Sequence, residues 1–103
     1  MDAKTRKALE GSITKWRKIV KGTGINLGVD NCPLCRLFYD RHCKGCPVMK
    51  QTGRNGCDQS PYPLYEDAVF IYGDYSDAAL LLAQAELDFL ISLRPKKSGP
   101  SRR

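Results

Sequence analysis

Five cysteines carry the chemistry that can be read from this chain. Four fall in "CPLCRLFYDRHCKGCPV", residues 32 to 48, and the fifth follows in "GRNGCDQSPY". Their spacing is Cys32-x2-Cys35-x7-Cys43-x2-Cys46-x10-Cys57. In a C-x-x-C turn both sulfurs can point at one centre, with backbone N–H groups close by. Two such turns supply four thiolates, a full tetrahedral set for Zn²⁺ at about 2.3 Å each. A closed S4 site leaves no position for water or substrate, so its role is structural and its binding energy is folding energy. The expected ligands are four of Cys32, Cys35, Cys43, Cys46 and Cys57, with His42 as the substitute in a Cys3His set.

Two features complicate zinc. The seven-residue gap between the doublets is shorter than the common C-x2-C-x15-20-C-x2-C spacing. "CKGCP" also ends in Cys-Pro, as some iron–sulfur runs do. Structural zinc is the first expectation, an iron–sulfur cluster the second, and metal-free dithiols the third. A thioredoxin-type dithiol needs a strand before its first cysteine, and "GINLGVDN" is too polar and glycine-rich to provide one. No catalytic residue is expected. His42 is the only histidine, and nothing in the sequence marks it as a base for Cys57. "GRNGC" lacks the pattern of a phosphate loop. No small-molecule substrate is inferred.

Amphipathic helices must position this module. Over residues 3 to 21, Leu9, Ile13, Trp16 and Val20 recur at spacings of four, three and four, and Ile19 widens the stripe. Asp2 is the expected N-cap, and Gly22 and Gly24 the stop. Residues 75 to 93 form a second helix, capped by Asp74 or Ser76. Its face is Leu80, Ala83, Leu87, Leu90 and Ile91, with Ala79, Leu82, Glu86 and Phe89 toward the edge. Residues 62 to 72 suit either a helix or a buried strand; Pro63 and the lack of a partner strand favour helix. Within the module, "RLFYD" (36 to 40) reads as a helical turn.

The expected fold is therefore mainly α: two amphipathic helices packed as an antiparallel hairpin, with an irregular cysteine-rich metal-binding module (32 to 61) between them. Residues 1 to 95 make one small domain, and 96 to 103 a disordered basic tail. Trp16 is expected in the core. Phe38, Tyr39, Tyr62, Tyr65, Phe70, Tyr72 and Tyr75 are expected to cap a small core rather than to stack on bases. The acids between 66 and 88 are expected to face solvent.

The net charge of +6 is distributed unevenly. Basic residues crowd both ends, whereas none lies between Arg54 and Arg94. A nucleic-acid interface through Lys4, Lys7, Lys15, Arg17 and Lys18 is the alternative to a protein partner. Four thiolates and one Zn²⁺ would reduce the charge to about +4. No run of about 18 apolar residues is present, so no membrane span is expected. The absence of a signal-peptide core and the odd cysteine count lead to the expectation of a cytoplasmic protein without a disulfide framework.

The layout resembles small cysteine-rich proteins of unknown function in phage and bacterial genomes. The shared features are Trp16, "CPLC" (32 to 35), "CKGCP" (43 to 47), Cys57, "SPY" (60 to 62) and "AELDFL" (85 to 90). The pattern covers most of the chain except the tail, with Ser60 where threonine is expected. It implies that all five cysteines act together, and it implies no activity.

Overall fold

The computed structural model describes residues 1–27, 31–38, 46–48 and 60–95. Among them are four helices and no strand: α1 (Ala3–Val20), α2 (Pro33–Phe38), α3 (Tyr62–Tyr72) and α4 (Asp77–Ser92). The mainly helical expectation holds. The ambiguous 62–72 segment is helix, and it packs on α4. Residues 39–45 and 49–59 of the module, and the tail from 96, lie outside the described residues.

Local chemistry fixes the helix ends. The Asp2 carboxylate accepts the Thr5 N–H at 2.7 Å, capping α1. A hydrogen bond from the Thr5 side chain, then this backbone one, with the charges of the N-terminus and Lys4, lower the Asp2 pKa. Gly22, at φ +80°, lets the chain turn back, so its N–H reaches Ile19 O while those of Thr23 and Gly24 reach Lys18 O. Ser76, rather than Asp74, caps α4 by accepting the Ala79 N–H.

The core lies between α1, α2, α3 and α4. From α1 it takes Leu9, Ile13, Trp16 and Ile19, while Val20 is only half-buried. Trp16 meets Tyr62 and Tyr65 edge-on, with ring centroids 5.9 and 4.9 Å away. Loss of water on burial, with the nearby Asp74 and Tyr75, raises the Tyr65 pKa. From α4 the core takes Ala79, Ala83, Glu86, Leu87 and Leu90.

Three expectations need correction. The buried face of α4 is turned from the expected one: Leu80 and Ile91 sit at its margin and Glu86 at its centre, because the small Ala79 and Ala83 permit close helix contact. Glu86 is therefore no solvated acid. The aromatic caps are divided: Phe38 and Tyr65 are buried, but Phe70, Tyr72 and Tyr75 are exposed, because α3 turns only Tyr65 and Ala68 fully inward. Tyr39 lies outside the described residues. The helical turn expected at 36 to 40 is helix over its described part, 36–38, but the helix starts earlier, at Pro33, whose fixed φ suits the first helical position; 39 and 40 lie outside the described residues.

Candidate metal centre and its surroundings

Cys32 occupies the N-cap position of α2. Its carbonyl accepts the Arg36 N–H at 2.9 Å, and its Sγ accepts the Cys35 N–H at 3.3 Å. The Cys35 thiol also donates to this sulfur. That bond, helped by the Cys35 N–H, Lys15 and Ser12, outweighs burial and lowers the Cys32 pKa from 9.0 to about 6. The first doublet thus holds one sulfur ready as a thiolate.

Cys32, Cys35 and Cys46 line a chamber of about 40 Å³ between α1, α2 and α4, which also admits Ser12, Trp16 and Glu86. A space of that size holds an ion or a water or two. None of the three cysteines is in a disulfide. Among the described residues, however, no three His, Cys, Asp or Glu side chains converge closely enough to hold a metal ion. Cys43, Cys57 and His42 lie outside the described residues. Three sulfurs border this one small chamber, and most of its remaining lining is apolar: Trp16, Leu34, Phe38, Val48 and Leu90.

Glu86 was not singled out by the sequence. It is 2% exposed, and its Oε1 has no hydrogen-bond partner among the described residues. Loss of water raises its pKa from 4.5 to about 7; the Ser60 hydroxyl and Lys15 oppose the rise, and Cys32 adds to it. The signal for it was present. Ala79, Ala83, Glu86 and Leu90 repeat the four-three-four spacing of the stripe on α1.

The expected nucleic-acid residues divide into two groups. Lys4 and Lys7 border a groove between α1 and α2 together with Arg36, over a floor of Gly11, Pro33 and Leu37. Lys15 instead turns inward, its Nζ 5.3 Å from the centre of the Trp16 ring and its charge felt by Cys32 and Glu86. Arg17 and Lys18 are exposed in the last turn of α1 and do not border that groove.

The chain matches no protein-family model, no curated protein and no solved structure. Among the described residues, no helix is long and apolar enough to cross a membrane.

Proposed function

We propose that this protein is a small helical adaptor, stapled by a structural metal ion and acting through a protein partner. The ion is zinc, held by four of Cys32, Cys35, Cys43, Cys46 and Cys57. The reading rests on one observation: Cys32, Cys35 and Cys46 border a single ion-sized chamber, inside which Cys32 Sγ already accepts the Cys35 N–H. The two helices whose stripes the sequence displays form the walls of that chamber, in keeping with a hairpin closed around its staple. A closed thiolate set supplies folding energy and leaves no open coordination position for chemistry.

Elemental analysis of protein purified without oxygen tests this. One zinc per colourless chain, with a thermal midpoint that falls on chelation, is the expected result. Metal-free protein whose melt ignores chelator overturns the reading. Iron with visible colour replaces zinc by an iron–sulfur cluster.

The Lys4, Lys7 and Arg36 groove favours a second reading, a nucleic-acid-binding module. Its affinity should fall steeply between about 50 and 200 mM salt. Binding that ignores salt eliminates it.

A further inference from the structure

The sequence of α3 is strongly apolar, yet much of it faces water. Leu64, Ile71 and Tyr72 are well exposed and Phe70 is 91% exposed; Leu81, one turn into α4, is 73% exposed. Single exposed apolar residues are ordinary, but Leu64, Phe70 and Ile71 fall on the outward side of α3 at helical spacing, and such a grouping marks an interaction surface. Phe70 also borders a groove with Asn26, Tyr65, Glu66, Val69 and Asp74.

The charged side chains that α3, the elbow and the first turn of α4 themselves present are acidic. Glu66, Asp67, Asp74 and Asp77 are exposed, and no Lys or Arg occurs between Arg54 and Arg94. Neither α3 nor α4 therefore carries a cation of its own. The surface is also held in place. Tyr75, at φ +63°, donates its hydroxyl to Gly24 O, and Asn26 Nδ2 donates to Tyr62 Oη at 3.0 Å. A surface fixed in advance loses less entropy on binding.

We propose that the elbow between α3 and α4 is the docking site for a short segment of a partner protein that combines aliphatic or aromatic residues with Lys or Arg. The proposal rests on the adaptor reading and names the surface and the partner's chemistry. Opposite charge selects this occupant. A second copy applied face to face would set acids against acids, and nucleic acid or an anionic lipid surface would be repelled.

A displayed library of random linear peptides, selected on the full-length protein, tests the proposal. Enriched sequences should pair Lys or Arg with apolar residues. Synthetic versions should bind at least about tenfold more weakly to the Phe70→Ser, Ile71→Ser double variant, and more weakly to wild type as salt rises. Both side chains are exposed, so the variant should keep the helical content of wild type. Failure to enrich basic apolar peptides, or equal binding to the variant, overturns the proposal. So does wild-type dimerisation abolished by the variant, because the occupant is then a second copy. Metal analysis of the same samples separates the two readings: metal-free protein that still selects such peptides defeats the staple and leaves this surface standing.

Discussion

Gly11 on α1 and Pro33 on α2 touch closely: a β-carbon added to Gly11 would lie 2.9 Å from the proline Cγ. The glycine is the point at which the cysteine turn rests on the first helix. In an unobstructed helix interior, alanine in place of glycine adds up to about 1 kcal/mol of stability. Here the rigid proline ring must move, and overpacking costs typically 1–3 kcal/mol. We expect Gly11→Ala to destabilise by about 1 kcal/mol in urea unfolding. A gain of about 1 kcal/mol would show that α2 yields without strain.

Glu86 should give metal-free protein an unusual pH dependence. Its folded-state pKa of about 7 exceeds the ordinary 4.5, so the folded protein holds the extra proton between those values. Stability present below about pH 4.5 is therefore lost as pH rises through 7, on the order of 3 kcal/mol in all. Glu86→Gln should abolish that slope in denaturant titrations across the window. A slope unchanged by the substitution would mean that groups other than Glu86 set it.

Cys32 acts in the opposite sense at higher pH. Its folded pKa, about 6, lies below the ordinary 9.0, so its contribution is complete above 9 and is lost as pH falls through 6. In metal-free protein, alkylation mapped by mass spectrometry should show a midpoint near pH 6 at Cys32. Cys35→Ala removes the thiol donor but keeps the backbone N–H, so the midpoint should rise part of the way toward 9. A Cys32 midpoint near 9 in unmutated protein would contradict the thiolate geometry.

Arg94 grips Glu10 with two bonds of 2.7 Å, tying the end of α4 to α1. The contact lowers the Glu10 pKa and raises that of Arg94. Both side chains are solvent-exposed, so water screens the pair and it should contribute little to stability. A double-mutant cycle with Glu10→Ala and Arg94→Ala measures it. A coupling as large as that of a buried pair would reveal a larger network.

The helices were legible because periodicity reports burial directly. Leu9, Ile13 and Trp16 could be placed without a structure. Glu86 was not, although its spacing was visible, because a carboxylate outweighs position in any hydropathy reading. The uneven charge along the chain also gave no sign of the pair that forms, in which Glu10 supplies the acid and Arg94 the base. Phe70 shows the converse: an apolar residue reads as core, and only three-dimensional placement reveals exposure. In the chemical centre, spacing identified the cysteines, but not that the first sulfur would cap a helix. That follows from Pro33 opening α2 directly after Cys32.

The packing of α1 on α4 has a kinetic consequence. The helix α1 packs on a helix that begins at Asp77, so much of the core comes from distant parts of the chain. Helical domains usually fold quickly because their contacts are local. Here α1 cannot complete its packing until α4 has emerged from the ribosome, and the intervening chain must first close into a loop. During that interval the stripe on α1 is bare, and anything that draws the cysteine turn against Gly11 early would shorten the search.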